Sequence, residues 1–345
     1  MKAITILLLM ALMTYITGCS APTRSNTSPP PISKCQSELS SSIPEMAAFF
    51  KAKGKLPTES ASRPLEGMEI VLTINRMILS SPSAQEDDRD DACFDQHRKE
   101  NFDKILGALK QNQMPPTVSF IAGHSIDQAL LEEWASSGNL IGNMTYGRFK
   151  AKKGTADEFI SSVARNTEVL APVWQKNPAK QKFFRYPGLK LDDDPQKMAQ
   201  IRAYLKKSGY FEVPATIDSR DGLFAQLYCS ALSRQDQSCA NFIKESFKSL
   251  LLDKTLKARE AARQVAGRDI KHILMIEANQ LMADSLGELL AWYKSLGARF
   301  VSIEELPRDQ FYASDNSLIA ARDIIKQTLR EQLSIPETRP RPGAQ

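Results

Sequence analysis

The residues most able to do chemistry are charged side chains that follow short apolar segments of the chain. Three are arginines, Arg76, Arg148 and Arg185, and two are carboxylates, Asp218 and Glu277. Guanidinium groups pair with carboxylates in a fork-shaped geometry, and they also bind anionic ligands. A positioned glutamate can act as a general base. If these residues meet, they predict either a charge-paired cleft or a site for an acidic ligand.

Several other kinds of chemistry are not indicated. The chain has three histidines, His97, His124 and His272, and none has another within helical reach. No histidine-based metal cluster can therefore be read locally. The chain also has no glycine-rich phosphate loop and no Gly-x-Ser-x-Gly elbow. We expect no bound metal and no other cofactor.

The bulk composition is that of a globular protein. The chain has 345 residues, 42% of them apolar and 25% charged, and a net charge of +5. This length suggests about two domains, although barrels of about 250 residues are often single units. The charge is mild and shows no basic stripe interleaved with aromatic residues, so we expect no nucleic-acid partner.

Apolar segments alternate with helical patterns through most of the chain. Short, wholly apolar strands between helices are typical of a buried parallel sheet with helices outside, and seven or so repeats favour closure into a barrel. The predicted fold class is α/β, a distorted (β/α) barrel. Strands are predicted at 69–74, 117–122, 139–142, 183–185, 211–217, 272–276 and 300–303. Helices are predicted at 43–56, 97–111, 128–136, 155–175, 197–208, 239–265, 281–296 and 315–333.

The N-terminus has the pattern of a targeting segment. Lys2 precedes a thirteen-residue apolar run, 4–16, which is too short to span a bilayer as a working helix. The run ends in Ile16-Thr17-Gly18-Cys19, which resembles a bacterial lipobox, so we expect Cys19 to be lipidated and to anchor the chain to a membrane. An ordinary secretory signal with a chance cysteine is the alternative. Ser20 favours the outer membrane if the host is Gram-negative.

These patterns give a domain organisation in four parts. We predict a lipoprotein signal peptide at 1–18, a Ser-, Thr- and Pro-rich tether at 19–45, a barrel at 46–312, and a C-terminal helix and tail at 313–345. Every part after the signal peptide would then lie in the cell envelope.

Four cysteines remain after Cys19, and an even number permits two disulfides in an oxidising compartment. We favour Cys229–Cys239, which would close a short polar loop, and Cys35–Cys93 follows by elimination. Four reduced core cysteines are the alternative, because spacing alone does not give connectivity.

The segment 138–149, GNLIGNMTYGRF, resembles a motif of the polysaccharide deacetylases, which remove acetyl groups from chitin or peptidoglycan sugars. The family pattern is similar to G-H-x-I-G-N-H-T-x-x-H, and its last two histidines hold a divalent metal. Here those two positions hold Met144 and Arg148. A thioether is a poor ligand for such an ion, and a guanidinium cannot lose its proton to become one.

Two further motifs of the resemblance, which covers about residues 66–306, are also changed. Where the family has T-F-D-D-G, with a general base and a metal ligand, this chain has Asn75 and Arg76. Where the family has L-H-x-N, with a histidine as general acid, this chain has Glu277. All five positions that carry the family's chemistry are therefore substituted: Asn75, Arg76, Met144, Arg148 and Glu277.

Two motifs of bracing residues are retained. The family's R-x-P is present as Arg185-Tyr186-Pro187, and the segment 213–221 resembles the one whose aspartate tunes the catalytic histidine. The resemblance places that role on Asp218. Gly222 stands where the family usually has an aromatic residue, so part of the acetyl-pocket wall is missing. Some of these matches have a simpler explanation as turn or core residues.

The resemblance implies the build of a hydrolase acting on the C–N amide bond of N-acetyl sugars, without its catalytic groups. We expect a lipid-anchored pseudoenzyme that binds cell-wall glycan, peptidoglycan or a protein partner. One alternative is an active deacetylase with rewired residues, and another is an envelope lipoprotein whose cleft binds nothing. The expected ligand-binding residues, at one mouth of the barrel, are Arg76, Arg148, Arg185, Tyr186, Asp218 and Glu277.

Overall fold

The computed structural model describes residues 32–53, 63–78, 93 and 97–333. Its centre is an eight-stranded, wholly parallel sheet with the order β5-β4-β3-β2-β1-β7-β6, and β8 pairs with the start of β1. The strands are β1 (Glu69–Asn75), β2 (Val118–Ile121), β3 (Leu140–Asn143), β4 (Lys182–Phe184), β5 (Tyr210–Glu212), β6 (Ile217–Asp218), β7 (His272–Glu277) and β8 (Arg299–Phe300).

Helices cover the outside of this sheet. They are α1 (Ile32–Ser42), α2 (Pro44–Lys53), α3 (Arg98–Gln111), α4 (Gln128–Ser136), α5 (Ala156–Lys176), α6 (Pro195–Lys207), α7 (Asp221–Ser233), α8 (Gln237–Ala266), α9 (Gln280–Ser295), α10 (Gln310–Ala313) and α11 (Ser317–Gln332). The predicted fold class, a distorted (β/α) barrel, is confirmed. No helix in the described ranges combines the length and apolarity that crossing a membrane requires.

One chain segment links the two edges of the sheet. Residues 210–212 pair with β4, and residues 217–218 of the same segment pair with β7, so the sheet curls until its edges are four residues apart in sequence. The sequence analysis predicts a single strand here. Two form instead, because Pro214 has no N–H to donate to a ladder and the chain turns from one partner to the other.

The barrel interior is a layer of apolar side chains between the curled strands. Val71, Phe120, Phe183 and Ile273 belong to this cluster, and so does Met144. A larger cluster lies between the sheet and the helices. Both faces of the central strands are buried, as β1 shows with six consecutive buried residues. Four of these six are apolar, and the other two are Thr73 and Asn75.

The disulfide pairing predicted from the sequence is wrong. The structure joins Cys35 to Cys239 and Cys93 to Cys229. Residues 229–239 are not one polar loop but the end of α7 and the start of α8. Each helix therefore presents its cysteine to a different neighbour, and Cys239 lies against α1.

The tether predicted at 19–45 also needs correction from residue 32 onward. Residues 32–42 form α1, whose Leu39 is fully buried and whose Cys35 is tied to α8. Burial of Leu39 and a covalent link stabilise a segment that composition alone marks as unstructured. Cys19 and the predicted signal peptide lie outside the described residues.

Candidate functional site

A cleft of about 360 Å³ lies at the carboxyl ends of the strands. Parallel strands end at the same edge, so loops that follow different strands meet there. The structure brings together all six residues that we expected at one mouth of the barrel, and Asn75 and Met144 line the same cleft. The lining residues that matter for its chemistry are Asn75, Arg76, Met144, Arg148, Arg185, Tyr186, Asp218, Arg220, Asp221, Gly222 and Glu277.

Arg185 is almost completely buried at the cleft, with 1% of its surface exposed. It donates to the side chains of Thr73 (2.9 Å) and Asn75 (3.2 Å) on β1. It also donates to the backbone carbonyls of Val213 (3.3 Å) and Pro214 (3.1 Å). Burial lowers the pKa of Arg185 to about 9, which still leaves the group charged at neutral pH. Arg185 therefore braces the cleft instead of presenting free donors to a ligand.

Asn75 and Met144, which the resemblance aligns with chemistry-bearing residues of the family, make structural contacts in this chain. The Asn75 side chain accepts the hydrogen bond from Arg185, so it completes the brace. Met144 is 5% exposed and packs within the barrel interior. A thioether embedded among apolar side chains is a core contact and not a ligand for a hard cation.

The retained motif residues around Met144 fix the loop backbone. Asn143 is fully buried, donates to the Val163 carbonyl (3.1 Å) and the Tyr210 hydroxyl (2.9 Å), and accepts from the Thr145 N–H (2.8 Å). A Cβ at Gly142 would lie 2.5 Å from the Phe120 ring. These contacts give Gly142 and Asn143 a packing role in this loop.

A pair of carboxylates, Asp221 and Glu277, lines the same cleft. Asp221 is 1% exposed and accepts from the Glu277 backbone N–H (3.0 Å), the Asn279 side chain (2.6 Å) and the Ser219 hydroxyl. Burial, followed by the nearby charge of Glu277, raises the pKa of Asp221 to about 7. The two carboxylates therefore resist being ionised together.

The resemblance places the tuning aspartate at Asp218. In the structure it is Asp221 that accepts a hydrogen bond from the backbone N–H of Glu277. Asn279 holds the Asp221 carboxylate in place. Its side chain donates to Asp221 and at the same time caps α9 by accepting from the Met282 N–H (3.0 Å). The signal was present in the sequence as the second aspartate of Asp218-Ser219-Arg220-Asp221.

Two cationic residues that the sequence analysis missed complete the charge pattern near Asp218. Arg220 lines the cleft and forms an ion pair with the buried Glu45 of α2. Lys254 of α8 is 5% exposed and donates to the Asp218 carbonyl (2.8 Å). Burial lowers the pKa of Lys254, with Asp218 acting in the opposite direction. Neither contact was readable, because both partners are distant in sequence.

Backbone strain is concentrated at this cleft. Seven non-glycine residues in the described ranges have positive φ, and four of them line the cleft: Arg76 (64°), Arg148 (56°), Leu189 (55°) and Arg220 (53°). Thr145, next to Met144, is a fifth (65°) and is β-branched, which makes that conformation costly. Such conformations persist where surrounding contacts enforce them, and they cluster at ligand and active sites.

The residues present do not fit the divalent metal of the family. In the three positions where ligands would stand, two cationic side chains and one buried thioether are found, and no group of three or more His, Cys, Asp or Glu in the described part of the chain could hold a metal ion.

One family model matches part of the chain. Residues 91–207 match the family model described as polysaccharide deacetylase. The chain carries a polysaccharide deacetylase-like domain. A search of the curated proteins gave no match.

Solved structures similar to the deacetylase-like domain belong to the same class. A CE4 family pseudoenzyme from Bacillus anthracis shares 14% identity over 70% of this chain and 66% of that chain, with a TM-score of 0.46. The chain therefore spans just under two thirds of that protein. A family 4 carbohydrate esterase from Streptomyces lividans in complex with acetate shares 15% identity (69% and 93% covered, TM-score 0.43). The peptidoglycan deacetylase PdaC from Bacillus subtilis shares 12% (79% and 97% covered, TM-score 0.43).

The bracing role of Arg185 can be measured as stability. Replacing it with methionine in Arg185→Met leaves the Val213 and Pro214 carbonyls without their donor, and each unsatisfied buried group costs about 1–3 kcal/mol. We expect the free energy of unfolding in urea to fall by about 3 kcal/mol or more. Arg148→Met, the same change at a half-exposed position, is the control and should cost about 1 kcal/mol or less. Equal losses would contradict the different roles assigned to the two arginines.

The coupling of the two carboxylates predicts a pH effect. Because the folded state holds the Asp221 proton more tightly than the unfolded chain, this group lowers the free energy of unfolding as pH rises from about 4 to about 7. In Glu277→Gln the repulsion is gone, so the pKa of Asp221 should fall while burial keeps it above the ordinary value of 3.8. Carboxyl ¹³C titration by NMR measures this. The exposed Glu288→Gln on α9 should leave the pKa of Asp221 unchanged, and an unchanged value in Glu277→Gln would refute the coupling.

Proposed function

We propose that the deacetylase-like domain is a catalytically inactive glycan-binding protein of the bacterial envelope. The observation that carries the proposal is the division of roles at the cleft. Residues that shape the cleft keep the family's types, while positions 76, 144 and 148 hold Arg, Met and Arg in place of metal ligands. The site keeps its form and lacks the groups that would activate water in the family.

The charges of the cleft favour a glycan with acidic or carbonyl oxygens. Arg76 and Arg148 are half-exposed and line the cleft, so we assign the ligand contacts to them. Arg185 belongs to the brace, and Arg220 pairs with Glu45. This removes Arg185 from the ligand-contact set expected from the sequence. Tyr186 also lines the cleft, but its hydroxyl donates to Glu212 (2.7 Å), so its ring supplies the contact surface.

Positive and negative charges in the cleft are more nearly equal in number than the sequence suggested. Asp221 faces the cleft together with Asp218 and Glu277, so three carboxylates stand beside four arginines. A pKa of about 7 leaves Asp221 partly protonated at neutral pH, which increases the net positive charge available to an acidic ligand.

A binding experiment tests the proposal. With N-acetylglucosamine oligosaccharides as the probe, calorimetry should show binding by the wild type. Arg148→Ala should weaken that binding about tenfold to a hundredfold, since a charge-assisted contact contributes about 1.5–3 kcal/mol. Lys153→Ala, in the same loop but exposed, is the matched control and should bind like the wild type. Absence of wild-type binding would contradict the glycan proposal and favour a protein partner.

One observation favours a second function. Paired carboxylates of which one has a pKa near 7 are a recurrent acid–base arrangement, and Asp221 with Glu277 has this form. An active deacetylase with rewired residues would release acetate from the same oligosaccharides, and Glu277→Gln would abolish the release. Our proposal expects no acetate from either protein.

We further propose that the protein is anchored to the membrane by lipid on Cys19. The support is the sequence Ile16-Thr17-Gly18-Cys19 at the end of the apolar run. Expressed as the full chain in a bacterial host, the wild type should fractionate with membranes and Cys19→Ala should not be lipidated, as metabolic labelling with palmitate would show. Labelling of the Cys19→Ala variant, or none of the wild type, would contradict the anchor. The four disulfide cysteines remain in the Cys19→Ala variant, so loss of its label would be specific to Cys19.

A further inference from the structure

A second cavity of about 170 Å³ adjoins the cleft and lies beneath the C-terminal helix α11. The two cavities share four lining residues: Tyr186, Gly188, Leu189 and Asp218. Leu189, held at positive φ, forms part of the wall between them. A ligand lying in the cleft can therefore extend a side group past this wall.

The lining of the second cavity is mostly apolar, with two cationic groups and one carboxylate, that of Asp218, where the cavity meets the cleft. Val213, Pro214 and Ala215 line it from the segment that links the sheet edges, and Leu318 and Ile325 line it from α11. Two cationic side chains, Arg322 and Lys326, come from the same helix one turn apart. Such a lining suits a small aliphatic group that ends in an acidic oxygen.

Arg322 gives a second and independent sign of a ligand. Its Nε is buried and has no hydrogen-bond partner among the residues that the structure describes. Buried donors are nearly always satisfied, and an unsatisfied one costs about 1–3 kcal/mol. A carboxylate or carbonyl oxygen in the cavity would accept from this N–H. Lys326, 53% exposed and 3.8 Å from Asp323, adds positive charge at the rim.

The size of the cavity limits the occupant. A cavity of about 150 Å³ admits a group the size of benzene, about six non-hydrogen atoms. One alanyl residue with its carboxylate has that many, whereas a long acyl chain does not fit. A methyl group would contact Ala215 and Leu318, and the acidic oxygens would face Arg322.

We propose that this second cavity binds the start of an acidic peptide attached to the glycan whose sugar lies in the cleft. The inference rests on the proposed glycan binding and narrows its ligand from a bare glycan to a peptide-bearing one. Arg322 would be the residue that distinguishes a peptide-bearing glycan from a bare one.

Calorimetry with two probes tests this proposal. One probe is an N-acetylated disaccharide carrying an alanyl-glutamyl peptide, and the other is the same disaccharide without the peptide. We expect the wild type to bind the first about tenfold more tightly, the effect of one charge-assisted contact. Arg322→Ala should lose that preference and keep the affinity for the bare disaccharide. Arg330→Ala, exposed and two turns further along α11, is the control and should keep the preference.

A chemical change in the probe tests the same contact without relying on the folding of a mutant protein. Amidating the peptide carboxylates should weaken binding to the wild type as much as Arg322→Ala weakens binding of the unmodified probe, and the two changes together should cost no more than either alone. Equal affinity of the wild type for both disaccharides would overturn the peptide site and leave the glycan proposal standing. Binding of neither would overturn the glycan proposal itself.

Discussion

The buried guanidinium of Arg185 is the interaction on which the cleft depends. It extends from the end of β4 to two side chains of β1 and to two carbonyls of the segment between β5 and β6, and it lies 4.1 Å from the centre of the Phe120 ring of β2. These contacts connect four parts of the barrel at one point. A charge this deeply buried is tolerable because its donors are satisfied and the ring face is negative.

The brace explains which family positions can change without loss of the fold. Asn75 can replace a carboxylate because an amide oxygen still accepts from Arg185. Arg76, Arg148 and Glu277 lie at the cleft surface, where a change of charge is balanced by neighbours and by solvent. Asn143, Asn279 and Asp221 instead fix loop backbone and helix ends through buried hydrogen bonds, and removing any of them would leave groups unsatisfied.

The helices outside the barrel also shape the site from a distance. Glu45 on α2 neutralises Arg220, and Lys254 on α8 holds the Asp218 carbonyl. The disulfide between Cys35 and Cys239 ties the N-terminal helix α1 to α8. The C-terminal helix α11 packs on α8 and covers the second cavity. Segments before and after the barrel therefore determine the charge and the extent of the cleft.

The sequence by itself determined the fold class, the course of most strands and the convergence of the cleft residues. Apolar runs such as 69–75 have one solution, a strand buried on both faces, and loops that follow parallel strands share one edge of the sheet. It also indicated that the metal-ligand positions are substituted, because the ability of a side chain to bind a metal follows from its residue type.

Only the tertiary structure decided which partners those residues meet. It placed Asp221 against the backbone N–H of Glu277, buried Arg185 among hydrogen-bond acceptors of the barrel, and joined Cys35 to Cys239 and Cys93 to Cys229. It also placed Arg322 of α11 beside the cleft. Each of these contacts joins residues far apart in the chain or depends on which way a helix faces, and local propensity contains neither kind of information. Burial then sets the protonation of Asp221, because desolvation is a property of the folded environment and not of the residue.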